Sequence, residues 1–330
     1  MRMHVLPLAL LLLLTASAVA APSPEATAKR SKAEIEKTLK AIEATARANP
    51  SGSSAAKGNT GTKPEEGTVV LTVTPSELGK ARGELARLNG YRYLAGLSYD
   101  VQLKDEHNLT CKYGAHLCDV IGRIEHTPAK PPGMDDATFR RGYEGTSRSN
   151  LFWTSGADGL TGSVNGYMDD SDPSNVARVG HRRWCLNPAM RYTGFGAVKG
   201  YSAMWSMDGA GGGASGAIVC FPSAGFHPLA YYTVGTAWNV SLDPGRYQLR
   251  SPQVKVYALK SGATRFPADV SGLAEVGLRD VRVDNSGIGI TQAIIFRPAI
   301  KALRGSRFGV LITGVEGLPE KRLAYTVEFF

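Results

Sequence analysis

Five histidines follow residue 20: His107, His116, His126, His181 and His227. His107 and His116 fall in a helical pattern and read as surface or packing residues. His227, ahead of Pro228, reads as a turn residue. The other two stand in more distinctive surroundings. His126 lies in Ile124-Glu125-His126-Thr127-Pro128, at the expected end of a helix. His181 lies in Gly180-His181-Arg182-Arg183-Trp184-Cys185-Leu186-Asn187-Pro188, where a loop is expected to enter a sheet. A neutral imidazole binds zinc and carries protons near neutral pH. Two facing one cleft would be half of a divalent-metal site, zinc being the natural example. Asp170 would add a third ligand, or orient a histidine by accepting its other N–H. Such a site could activate water. The same groups could equally hydrogen-bond one another and brace a loop. Spacing alone does not bring the two histidines together.

Other catalytic signatures are absent. The chain has no His-Glu-x-x-His, no P-loop and no Gly-x-Ser-x-Gly elbow. The glycines between 209 and 216 lack the Lys-Ser/Thr of a phosphate cradle and read as a hairpin loop. Asp169, Asp170 and Asp172 have the wrong spacing for an EF-hand and read as a solvated turn. A nucleophilic Ser149 with a histidine and Asp170 has no oxyanion hole visible beside it. Trp153, Trp184, Trp205, Tyr143 and Tyr167 would line a groove or fill the core. Four cysteines are present: Cys111, Cys118, Cys185 and Cys220. Cys111 and Cys118 share a helical pattern, about 10 Å apart by helical rise, too far for a bridge. Cys185 and Cys220 fall in strand-like segments and are the expected disulfide pair.

These residues need elements to position them. The 330 residues are 43% apolar and 20% charged, which excludes wholesale disorder, collagen and coiled coil. The net charge of +9 is spread out and gives no case for nucleic acid. Arg2, the apolar run 8–14 and Ala18-Val19-Ala20 have the form of a secretory signal over residues 1–20. No later segment is apolar enough to span a membrane, so a secreted, periplasmic or cell-envelope location is expected. Residues 21–74 read as an amphipathic helix, with Ile35, Leu39, Ile42 and Ala46 on one face, and a flexible linker over 49–67. Helices are expected over 76–90, after Asp100 and over 160–169, with a Pro- and Gly-rich stretch over 127–150. Strands are expected over 192–198, 202–207 and 216–221. Helices followed by a sheet make 75–234 an α+β unit. Short alternating strands over 238–330, the last being 323–330, predict a separable β-sandwich of Ig-like type.

Five blocks, in order, resemble the CAP superfamily: the cysteine-rich secretory, antigen 5 and pathogenesis-related 1 proteins, with the bacterial SCP-like extracellular proteins. They are Leu88–Leu97, the helix ending in His126-Thr127, Ser149-Asn150-Leu151, Gly166-Tyr167-Met168-Asp169-Asp170, and Gly180-His181-Arg182 with Leu186-Asn187-Pro188. The last is the most specific. The resemblance implies a CAP-like α-β-α sandwich and a cleft holding two histidines and two acids. Carried over residue by residue, the histidines fall on His126 and His181, and the second acid on Asp170. The first acid falls on Ser149, which has no carboxylate; Glu144, five residues earlier, is a substitute by position only. The resemblance therefore implies an exported protein that binds an unknown ligand or cell-envelope component in a cleft of His126, Ser149, Asp170 and His181, more a binder than an enzyme. A metal-dependent hydrolase of envelope polymer or peptide, and an adhesion protein acting through the sandwich, are the alternatives.

Overall fold

The computed structural model describes residues 21–48, 69–213, 215–260 and 265–330. The expected signal segment and linker lie outside these residues. Two short pieces open the described chain: α1 (Pro24–Ala28), capped by Ser23, and α2 (Lys32–Ala48). Ile35 and Leu39 of α2 are buried and Ile42 partly so, packed on the longest helix, α3 (Pro75–Leu94). Thr74 and Glu77 cap α3 reciprocally, satisfying two of its first N–H groups.

Strand β1 (Gln102–Leu103) leads into α4 (Asp105–Ile121), which ends at Gly122 in the left-handed region. A further helix, α5 (Asp136–Ser147), is capped by Asp135 and runs through the Pro- and Gly-rich stretch, where no helix was expected. Strand β2 (Ser149–Trp153) follows, then α6 (Ser163–Asp169) and α7 (Gly180–Cys185). After β3 (Tyr192–Thr193), which pairs with β1, come β4 (Phe195–Val198) and β5 (Tyr201–Trp205). An antiparallel sheet of order β2-β5-β4 divides the helices. Leu151, Ala203 and Trp205 face Cys111 and Cys118 of α4. Phe152, Phe195 and Met204 face the core shared by α2, α3, α6 and α7. The period-2 alternation of the strands thus serves two helical layers.

The rest of the chain is mainly β. The strands are β6 (Ile218–Phe221), β7 (Gly225–His227), β8 (Trp238–Leu242), β9 (Gln248–Ala258), β10 (Ala274–Val276), β11 (Leu278–Asp284), β12 (Gln292–Pro298), β13 (Arg307–Glu316) and β14 (Arg322–Phe329). They form two sheets, β10-β9-β13-β14-β7 and β11-β12-β8-β6, enclosing a core around Trp238, Val240, Phe296, Val310 and Phe329. The whole is a mixture of helices and several sheets, as an α+β class requires.

Two expectations change here. The strand at 218–221 does not join the sheet of the helical unit; it pairs with β8. His227 is not a surface turn: it is 1% exposed, in β7, which pairs with β14. The β-rich unit therefore draws two strands from before residue 238.

Candidate functional site

Gly122 ends α4 in the left-handed conformation and turns the chain back toward the end of α5. There, Thr146 donates its hydroxyl to the His126 carbonyl at 3.0 Å, and His126 Nδ1 lies 2.9 Å from the Thr146 carbonyl. A carbonyl only accepts, so Nδ1 carries the proton and Nε2 presents a lone pair. Desolvation of the ring lowers the His126 pKa from its ordinary value; the Thr146 carbonyl opposes this, and charge on His181 adds to it.

His181 opens α7. Its Nδ1 lies 2.9 Å from Oδ1 of Asp170, a carboxylate with no solvent exposure. Asp170 terminates α6 at φ +49°, a left-handed conformation that turns its side chain toward α7. Its Oδ2 accepts the Arg182 backbone N–H at 3.3 Å. The carboxylate assigns the His181 proton to Nδ1, again leaving Nε2 free. Asn150 fixes the backbone of this turn by donating to the His181 carbonyl at 2.9 Å, and the Tyr167 ring lies 5.8 Å from the imidazole.

The two rings converge. Their centroids are 6.4 Å apart and their planes differ by 36°. With zinc–nitrogen bonds of about 2 Å, two imidazoles sharing an ion have centroids roughly 5–6 Å apart. The remainder of a resident metal centre does not fit as well. Among the described residues, no three or more His, Cys, Asp and Glu side chains group so as to hold an ion. Both Asp170 oxygens are already engaged by His181 and Arg182. Zinc sites that do catalysis use three protein ligands; this one offers two nitrogens.

The Ser149 hydroxyl is engaged elsewhere. Successive strand residues point to opposite faces, and Ser149 turns its hydroxyl to Cys111 Sγ at 3.5 Å, beneath α4. Its neighbour Asn150 is the residue that reaches α7. This removes Ser149 both as a nucleophile for His126 or His181 and as a stand-in for the missing acid. Glu144 is exposed on α5. The aromatic residues considered for a groove disperse. Trp153 is 52% exposed and pairs with Tyr201, while Trp205 is buried under a stacked His107 at 4.3 Å. Only Tyr167 among them has a ring contact with a site histidine.

The Cys185–Cys220 disulfide is not formed, and all four thiols are free and buried. Cys185 belongs to a helix, α7, and its Sγ accepts from Asn150 at 3.6 Å. Along β6, Val219 and Phe221 enter the helical core, while Ile218 and Cys220 enter the core between the two β-sheets. Strand alternation thus points Cys220 away from the core that holds Cys185. Burial pushes the Cys111 and Cys220 thiols up to about 12, and Cys185 also well upward.

An open groove of about 860 Å³ lies between α2, α3 and residues 99–105, and contains no histidine or cysteine. Size favours the groove; the oriented polar atoms are at His126 and His181, and chemistry follows the polar atoms. No family model, no curated protein and no solved structure matches this chain. No described helix is long and apolar enough to cross a membrane.

Proposed function

We propose that this is an exported CAP-like protein whose cleft of His126, His181 and Asp170 binds a ligand or cell-envelope component, with an Ig-like sandwich at its C-terminal end. The observation that carries the reading is the arrangement of the imidazoles. Both hold their Nδ1 protons on fixed acceptors, 2.9 Å away in each case, and leave both Nε2 atoms free. That two residues distant in sequence lie with their rings together supports the CAP reading. Helices on both faces of a three-stranded antiparallel sheet support the same reading.

The pair suits a neutral or cationic partner that accepts nitrogen lone pairs. A divalent ion such as zinc is the simplest, and His126 Nε2 and His181 Nε2 are the donors that would hold it. With two protein donors, such an ion would bring its other ligands with it, which favours binding over turnover. Asp170 is engaged by His181 and Arg182, and the position of the other acid is taken by Ser149, so neither acid of the resemblance is free to act as general base.

Zinc titration by calorimetry tests the pair. The wild type is expected to bind one ion at neutral pH, and His126→Ala with His181→Ala to abolish binding while the thermal midpoint stays close to wild type. Affinity should fall as pH is lowered, because a protonated imidazole has no lone pair to give the ion. Sedimentation with purified envelope polymer tests the ligand, and release of soluble fragments tests the hydrolase alternative. Zinc-dependent fragment release lost in the double variant would replace the binding reading with the hydrolytic one.

A further inference from the structure

Arg182 follows His181 and is completely buried. Its guanidinium saturates all five of its N–H donors. Nε donates to the Met168 carbonyl at 2.7 Å and Nη2 to the Asp169 carbonyl at 2.8 Å, the two carbonyls that precede Asp170. The other bonds cross to the β-rich unit. Nη2 also donates to Thr236 Oγ1 at 3.0 Å, and Nη1 donates to the Ala237 carbonyl at 2.6 Å and Asn239 Oδ1 at 3.0 Å. Thr236 Oγ1 in turn donates to the Asp169 carbonyl at 2.6 Å. The Thr236 hydroxyl therefore bonds both the residue after His181 and the residue before Asp170.

The neighbouring anchors have the same direction. Val179, two residues before His181, has φ +44° and is packed with Ala237, Ala293 and Ile295. A β-branched residue is held there only by the contacts around it. Arg183 pairs with Asp284 of β11. The short helix that carries His181 is thus seated on the sandwich on both sides of the histidine.

We infer that the β-sandwich is a working part of the histidine site, and that the Thr236 hydroxyl, acting through Arg182 and the Asp169 carbonyl, is a positioning group that holds Asp170 against His181. The inference rests on the reading of His126 and His181 as the functional pair. It makes the C-terminal unit more than a spacer: displacement of residues 236–239 would misalign the carboxylate that sets the tautomer of His181.

The test compares Thr236→Val, which removes the hydroxyl at nearly constant shape, with Thr236→Ser, which retains it. Val310→Ala, in the sandwich core and 0% exposed in the native chain, controls for loss of stability alone. Imidazole ¹⁵N shifts read the tautomers at one fixed pH above neutrality. Thr236→Val is expected to lose the Nδ1–H form of His181 while keeping that of His126. Thr236→Ser and Val310→Ala should keep both. Zinc affinity should fall about tenfold or more in Thr236→Val, as for loss of outer-sphere support. An unchanged His181 tautomer in folded Thr236→Val would overturn the positioning role, as would an equal change in Val310→Ala. Absence of zinc binding in a wild type with both Nδ1–H tautomers would remove the metal reading and leave the positioning role standing.

Discussion

His227 shows at the scale of one residue how burial sets a charge state. Its Nε2–H donates to the Tyr231 carbonyl at 3.1 Å, and its Nδ1 accepts the Ser223 backbone N–H at 3.2 Å. A proton added at Nδ1 would oppose the Ser223 backbone N–H and find only the Ser223 hydroxyl, 2.9 Å away, to accept it, in a site that water does not reach. Desolvation, the largest cause, lowers the pKa to about 4, with the Tyr231 carbonyl opposing it and the Arg87 charge adding to it. The unfolded chain takes up this proton near 6.5, so between 6.5 and about 4 it binds more protons than the native state. Stability from the neutral ring is complete above 6.5 and is lost as pH falls through that window. The total is about 3 kcal/mol. Urea unfolding at pH 7.5, 5.5 and 4 should show this loss beyond that of His227→Gln, which cannot titrate. Equal acid sensitivity in the two proteins would assign the loss to other groups.

At the scale of elements, contact between α4 and α5 positions His126. A Cβ at Gly145 would lie 2.2 Å from the Thr110 carbonyl oxygen and 2.8 Å from Gly114 N. The two helices touch backbone to backbone, and Thr146, next in line, holds His126. Gly145→Ala is expected to cost about 1–3 kcal/mol as overpacking and to weaken zinc binding. Gly79→Ala, in α3 with nothing within 4 Å of its Cβ, should instead stabilise by roughly 0.5–1 kcal/mol. Thermal unfolding of both variants checks the opposite signs. The same elements show what sequence could convey. The amphipathic face of α2 and the alternation of the last strand, 323–330, were legible because each declares its buried side locally. Helix α5 was not, since glycines needed for close approach resemble glycines of a loop. Nor was α7 legible. Arg92 of α3 donates to the Cys185 and Asn187 carbonyls at its C-terminal end, and Glu84 of α3 accepts the Gly162 and Val164 N–H groups at the start of α6. Both short helices are capped by a distant helix; α6 falls in the helix expected over 160–169, whereas no local signal could announce α7. In the site, the two histidines and Asp170 could be named from the resemblance. The roles of Asn150, Thr146 and Arg182 could not, because each acts through a backbone group far along the chain.

For the whole molecule the question is whether the β-rich unit is separable at residue 238, as its change of pattern predicts. Strand β6 argues against it. Its side chains alternate between the two cores, Val219 and Phe221 into one and Ile218 and Cys220 into the other, so neither core is complete without it. The C-terminal pair repeats the arrangement, Phe329 in the β-rich core and Phe330 in the helical one. The N-terminal arm ties the same seam: the Pro22 carbonyl accepts from Ile218 N at 2.8 Å, and Lys32 pairs with Glu328 at 2.6 Å. Three buried arginines cross or brace this region, and burial pulls Arg92 and Arg182 down only to about 10, so both stay charged at neutral pH. Separation would strip Arg182 and Arg183 of the acceptors that lie across the seam, a change that costs several kcal/mol where the charge stays buried and unpaired. The full chain is therefore expected to unfold in one calorimetric transition, with far- and near-ultraviolet dichroism coincident. A fragment of residues 238–330 lacks β6 and β7, an edge strand of each sheet, and leaves Val240 of β8 and Phe329 of β14 without their strand partners; it should show no cooperative transition. Two resolved transitions, or cooperative unfolding of that fragment, would instead establish an independent domain, and the coupling of the sandwich to His181 would then have to act across a mobile joint.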